Sequence, residues 1–365
     1  MERLIIGPIS QASARQRAGR AGRVQSGQCY RLYTETYFLE QMPAQTPPEI
    51  LRTNVTSFIL TLKALGVDNI LAFDMMDVPS VEALSFGLES LYALGAIDDR
   101  TQLTDRGMDM SNFPTEPRVS RMLLESLSAG CSWEVLAVAS ALQVRDLFHK
   151  PRGGAAARPQ QLLDFEASLA EFADASGDHV TYANLLAEMD NHNYSQSDCQ
   201  ERFLNYVALQ RAREVRNQLA GVLRRLGRVQ AYGSVPVSAT ALSTNAATGS
   251  GSGSLSSLGD PRSRAIRRCV TAGFFFNVAK LAHDGRYYTL RKHIPVTPSS
   301  NSILSSWSGS SSIAAARSRT VVVMSTPEYI VFGETQDGAR GGIELRAVSA
   351  IDPRWLRELA PHYWE

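Results

Sequence analysis

The chain has 365 residues, enough for two to three domains, and 44% hydrophobic against 20% charged residues exclude a largely disordered polymer. No run of about 18 apolar residues occurs, which excludes an ordinary membrane-spanning helix, and residues 1–7 lack the basic-then-apolar pattern of a signal peptide. The net charge of +1 hides an uneven distribution of its 37 basic residues, of which only Lys63, Lys150, Lys280 and Lys292 are lysines. A genome-wide codon bias accounts for arginine over lysine, but not for the clustering. Arg3, Arg15, Arg17, Arg20, Arg23 and Arg31 stand against the single acid Glu2 in the first 33 residues. Arg211, Arg213, Arg216, Arg224, Arg225 and Arg228 form a second group, and Arg262, Arg264, Arg267 and Arg268 a third. Basic clusters in a near-neutral chain point to local phosphate contacts. Cys29, Cys131, Cys199 and Cys269 are far apart without ligand spacing, so neither a metal site nor a disulfide framework is expected, and a reduced intracellular protein is.

In chain order, residues 54–66 place Val55, Phe58, Ile59, Leu62 and Leu65 on one helical face, with Gly66 as the stop. Ser80 caps a second helix lined by Val81, Leu84, Leu88 and Leu91 and ended by Gly95. Residues 96–104 then read as two short strands around a turn, with Asp98, Asp99 and Asp105 as turn residues; helix, helix and hairpin is the pattern of a winged helix. Helices are predicted at 118–129, 132–146, 179–191 and 196–226, the last with Leu204, Ala208, Val215, Leu219, Val222 and Leu226 on one face, as in a bundle. Residues 229–259 carry no charge and are rich in Ser, Gly, Ala and Thr, which reads as a flexible linker. Beyond it the pattern switches to strands at 269–278, 287–290, 320–324, 329–335 and 343–349, with an uncharged serine-rich loop at 294–316 and a last helix at 353–359. Five short strands with glycine-bearing turns suit a small OB-like barrel.

One motif carries specific chemistry: Gln16-Arg17-Ala18-Gly19-Arg20-Ala21-Gly22-Arg23. Arginines three apart lie on one side of a helical turn, and the small residues between them admit a close neighbour. Arg20 and Arg23 can then reach one polyphosphate together, as an arginine finger does, and Gln16 can orient an attacking water. The bland alternative is a solvated surface helix. The scattered histidines show no partner spacing. Phe274, Phe275 and Phe276 suit either base stacking or a core, and the Arg211–Arg228 group suits either RNA or a solvated helix face.

The octet and the following Ser26-Gly27-Gln28-Cys29-Tyr30-Arg31-Leu32-Tyr33-Thr34 resemble motif VI of the second RecA-like domain of DEAH-box RNA helicases. The resemblance continues through Pro48-Glu49-Ile50-Leu51-Arg52, Leu91-Tyr92-Ala93-Leu94-Gly95-Ala96-Ile97, Phe113-Pro114-Thr115-Glu116-Pro117, Ala272-Gly273-Phe274-Phe275-Phe276-Asn277 and Ile351-Asp352-Pro353-Arg354-Trp355-Leu356. The run Asp198-Cys199-Gln200-Glu201-Arg202-Phe203-Leu204-Asn205-Tyr206 is most similar to the spliceosome-associated members. The family's P-loop and DEAH box are absent, no Gly-Lys pair occurs, and Thr297-Pro298-Ser299-Ser300 replaces its His-Pro-Ser-Ser.

The resemblance implies a multidomain α+β chain. Its parts are a remnant of a RecA-like domain at 1–50, a winged helix at 51–115, a helical ratchet bundle at 116–228, a linker at 229–261 and an OB-like barrel at 262–365. It implies a nuclear, splicing-associated helicase region that uses ATP and Mg²⁺ in the complete enzyme and is inactive alone. Gln16, Arg20 and Arg23 would be catalytic and nucleotide-binding. Arg211, Arg213, Arg216, Arg262, Arg264, Arg267, Arg268 and Phe275 would contact single-stranded RNA. Implied partners are RNA, a glycine-patch activator and spliceosome components, with no membrane. The rival reading is a non-catalytic RNA- or protein-binding module.

Overall fold

The computed structural model describes residues 7–144, 146–151, 159–192, 195–227, 259–307, 326–338 and 342–364. Most of the predicted linker and the predicted strand at 320–324 lie outside these residues. Among the described residues no helix is long and apolar enough to cross a membrane.

The first helix, α1 (Gln11–Arg20), stands with a small buried cluster of Ala14, Phe38 and Met42. Then α2 (Thr56–Ala64) packs on α3 (Val81–Ala93). Ser80 caps α3 as predicted, its hydroxyl accepting from the Ala83 amide at 3.2 Å. The hairpin reduces to one bridge between Ile97 and Leu103. Asp105, expected in a turn, instead opens α4 (Asp105–Ser111), whose first turn is capped by the Thr104 hydroxyl.

The bundle comprises α5 (Pro117–Ala129), α6 (Ser132–Gln143), α7 (Pro159–Phe172), α8 (Asp178–His192), α9 (Gln196–Glu201) and α10 (Tyr206–Arg225). The single helix predicted over 196–226 is two. Phe203 sits at φ +55°, which no helix interior tolerates, and Asn205 caps α10 by accepting from the Ala208 amide.

The largest departure follows the linker. Residues 269–274 were predicted as strand, but they complete α11 (Pro261–Phe274). Asp260 caps it by accepting from the Ser263 amide at 3.0 Å, and Pro261 occupies the first turn, where its missing N–H costs nothing. Gly273 packs α11 onto the start of α5: a Cβ there would lie 2.2 Å from the Arg118 carbonyl oxygen.

Five strands follow: β1 (Val278–Leu281), β2 (Tyr287–Thr289), β3 (Pro295–Pro298), β4 (Tyr329–Asp337) and β5 (Ile343–Ala350). They close as β1-β2-β3-β5-β4, with β3 and β5 parallel and the other pairs antiparallel. The predicted serine-rich loop therefore begins with a strand, β3. A short α12 (Arg354–Leu359) packs back on α11.

Tyr287, Val296, Phe332, Leu345 and Val348 fill the barrel. A larger core is shared across the chain: Ile59 of α2 and Leu91 of α3 join Met122, Leu123, Val135, Leu223, Ile266, Val270 and Trp355.

Candidate nucleic-acid interface

The motif of eight residues is held from one side. The Ser10 hydroxyl accepts from the Ser13 amide at 3.1 Å and shares a 2.8 Å hydrogen bond with Thr46. Gln11 Nε2 donates to the Met42 carbonyl at 3.1 Å. These contacts turn Ala14 inward, and Gln16, Arg17 and Arg20 are left on the exposed side. Among the described residues no hydrogen bond or ion pair ties the side chains of Gln16, Arg20 or Arg23. The helix ends at Arg20. Gln16 and Arg20, four apart, therefore share a helical face, but Arg23 lies in the turn beyond, so the octet is not one continuous face as its spacing suggested. Arg31 stacks over Phe38 with its guanidinium carbon 4.3 Å from the ring centroid.

The arginine groups divide by burial. Arg211, Arg213 and Arg264 are exposed. Arg216 is 2% exposed: Nη2 donates to Asp190 Oδ1 at 2.6 Å, and the guanidinium carbon lies 4.2 Å from the centroid of Trp133. Arg267 is 4% exposed and donates from Nη1 to the Ala350 carbonyl at 2.9 Å, with burial lowering its pKa. Arg262 donates to Glu134 at 3.1 Å and to Asn184 Oδ1 at 3.0 Å. Arg268 sits 3.5 Å from both Glu125 and Glu358. Phe275 is 1% exposed.

Arg216, Arg267 and Phe275 are thus corrected from expected RNA contacts to core and seam residues, because their polar atoms and rings face protein. Arg262 and Arg268 tie α11 to its neighbours. A signal for Arg216 was present: it shares a helical face with Ala212, Leu219, Ala220 and Leu223, all buried.

Sequence reasoning also missed a buried polar seam between bundle and barrel. Gly177, at φ +126°, bridges to Ser349 of β5. Asp178 accepts the Val348 amide at 2.7 Å and the Ile303 amide at 2.8 Å, and burial pushes its carboxyl up to about 6. His179 Nδ1 lies 2.8 Å from the Ser349 hydroxyl, and burial drops the imidazole to about 3. These hydrogen-bonded partners are 125 to 170 residues apart in sequence and show no local pattern. Among the described residues no group of three His, Cys, Asp or Glu side chains is placed to hold a metal ion.

Comparison with known proteins agrees with this architecture. Residues 87–115 match the family described as helicase associated domain (HA2), winged-helix, and residues 116–182 the helicase associated domain (HA2), ratchet-like. Residues 266–363 match the oligonucleotide/oligosaccharide-binding (OB)-fold. The whole chain is 36% identical to "Probable ATP-dependent RNA helicase DHX35" of Homo sapiens and of Pongo abelii, and 34% identical to the Caenorhabditis elegans homolog. It spans 44% of the first two proteins and 43% of the third, less than half of each. Over its full length the chain is thus similar to DEAH-box RNA helicases, with its winged-helix, ratchet-like and OB-fold matches at residues 87–182 and 266–363.

Proposed function

We propose that this chain serves as the C-terminal region of an ATP-dependent RNA helicase that steps along or unwinds single-stranded RNA in nuclear pre-mRNA splicing. Residues 1–50 are read as the end of a second RecA-like domain, 51–115 as the winged helix, 116–228 as the ratchet, 229–261 as the linker and 262–365 as the OB-like domain. The observation that carries the reading is the exposed Gln16–Arg20 face of α1, continued by Arg23 in the following turn and backed by a packed return segment.

These donors suit the phosphate side of an ATP site: Arg20 and Arg23 balance charge on γ-phosphate oxygens, and Gln16 holds the attacking water. When bound, ATP with Mg²⁺ supplies phosphoryl transfer. The magnesium-holding acid and the phosphate-cradling lysine are not among the residues of this chain, so no hydrolytic step is assigned to it alone. Single-stranded RNA meets the exposed Arg211, Arg213 and Arg264. A glycine-patch activator and spliceosome components are the proposed protein partners.

In a longer protein that carries the P-loop and DEAH box, Arg20→Ala or Arg23→Ala should lower kcat by about 10³ or more. RNA-stimulated turnover unchanged in both would remove the assignment. A second reading, a non-catalytic RNA- or protein-binding module, is favoured by the oligonucleotide/oligosaccharide-binding fold matched at residues 266–363. RNA binding without effect on any ATPase would decide for it.

A further inference from the structure

Two cavities lie along α3, of about 250 and 230 Å³, and both are lined by Ser90. The first is walled by polar groups, among them Thr53, Asn54, Ser57 and Arg118. The second is walled by rings from three places: Phe86 and Tyr92 of α3, Phe276 just beyond α11, and His362 and Tyr363 near the C-terminus. Arg118 joins the two, lining the first while its guanidinium carbon stands 5.7 Å from the Phe276 centroid in the second. Gly273 makes this possible, because the close approach of α11 to the Arg118 backbone brings the following phenylalanines to that arginine. Arg291 also lines the second cavity, donating to the Tyr363 hydroxyl at 2.9 Å with its guanidinium carbon 4.9 Å from that ring's centroid.

We propose that the ring-lined cavity takes one unpaired base of a single RNA strand, whose sugar-phosphate backbone continues past Ser90 into the polar cavity. The inference rests on the RNA-binding reading above and assigns it a site. Three features choose a nucleic acid over a protein side chain. Two arginines stand by the ring cavity, Arg291 in its lining and Arg118 beside Phe276, where the phosphates flanking a bound base can meet them. The cavity is smaller than the roughly 300–1,000 Å³ of pockets for drug-sized ligands, a size that suits one planar ring system. The neighbouring cavity offers hydroxyl and amide groups that meet a 2′-hydroxyl, and Glu89 on the wall of the ring-lined cavity accepts a hydrogen bond from a base amino group. Phe86 on the wall is 43% exposed and leaves ring surface on which a base can pack.

The test compares the whole chain's affinity for a short uridine–adenosine RNA with its affinity for the same strand carrying abasic sites, which keeps the phosphates and loses the bases. The wild-type protein should prefer the intact strand by about fivefold or more, the lower range for one stacked base. Phe276→Leu with Tyr363→Leu should erase the preference while leaving abasic binding and its salt dependence unchanged. Phe86→Ser, at an exposed position, reads the same loss in part if the double variant does not fold. Full base preference in both variants overturns the proposal. So does a tryptophan-bearing decapeptide whose binding depends on Phe276 and Tyr363 when RNA binding does not, since that assigns the cavity to a protein partner. Failure to bind either strand at low salt is the distinct outcome that sinks the RNA-binding reading and this proposal with it.

Discussion

Asp178 and His179 are neighbours whose burial acts in opposite directions on stability. His179 is depressed from 6.5 to about 3, so its contribution is complete above pH 6.5 and lost as pH falls toward 3. Asp178 is raised from 3.8 to about 6, so its contribution is complete below pH 3.8 and lost as pH rises through 6. At 1.36 kcal/mol per unit, acidification from pH 7 to 5 costs about 2 kcal/mol at the histidine and returns about 1 kcal/mol at the aspartate. Asp178→Asn should therefore steepen the loss over that interval by about 1 kcal/mol, and His179→Gln should flatten it. Denaturant titrations at pH 7, 6 and 5 decide the matter, and parallel profiles for all three proteins would refute the pairing. Arg216 gives a second contrast. Removing it empties the buried space its stem and guanidinium fill against Trp133, so Arg216→Ala should lower stability by about 2–3 kcal/mol. Arg211→Ala with Arg213→Ala should leave the melting temperature within a degree or two and weaken RNA binding, because both side chains are exposed.

At the scale of elements, two glycines predict opposite outcomes for the same substitution. Gly273→Ala forces a methyl against the Arg118 carbonyl and should destabilise by about 1–3 kcal/mol. Gly221, inside α10, has open space where a Cβ would sit, with no atom within 4 Å, so Gly221→Ala should stabilise by about 0.5–1 kcal/mol. Thermal melts of the two variants should move in opposite directions, and movement in the same direction would disprove the packing argument. The same helix explains what sequence patterns conceal. Cys269 through Phe274 are all buried, so no polar stripe marks a helical period, and an apolar run of that length reads equally as strand. The capping pair Asp260-Pro261 was the available cue. Most helices of the winged helix and the bundle were legible from starts and stops such as Ser80 before α3 and Gly66 after α2, but α7 was not predicted and the break at Phe203 was missed. The parallel β3–β5 pairing was not legible, since it depends on barrel closure rather than on any local residue. At the candidate site the Gln16, Arg20 and Arg23 constellation was readable as a motif, but the burial of Arg216 and Arg267 is set by helices distant in sequence.

For the whole molecule, the purified 365-residue chain should turn over no ATP, with or without RNA, because phosphoryl transfer needs a lysine-bearing phosphate loop and a magnesium-holding acid. Hydrolysis at about 0.1 s⁻¹ or faster, still below the range typical of kinases, would overturn this. Its RNA affinity should fall with salt at a slope of about −0.7 per phosphate contact. Neutralising Arg211, Arg213 and Arg264 together should flatten that slope, whereas an affinity indifferent to ionic strength would exclude phosphate contacts.

The docking of α11 against α5 also bears on how the chain matures. The two helices are joined across more than 100 intervening residues, and the core they share reaches back to Ile59 and Leu91. A ribosome adding about 5–20 residues per second needs roughly 7–30 s to go from the end of α5 at Ala129 to the end of α11 at Phe274. During that interval the face of α5 that receives α11, with Met122 and Leu123 on it, stays open to water. A chain that stops short of Pro261 leaves this apolar face uncovered, so such a truncation should aggregate or bind a hydrophobic dye where the whole chain does not.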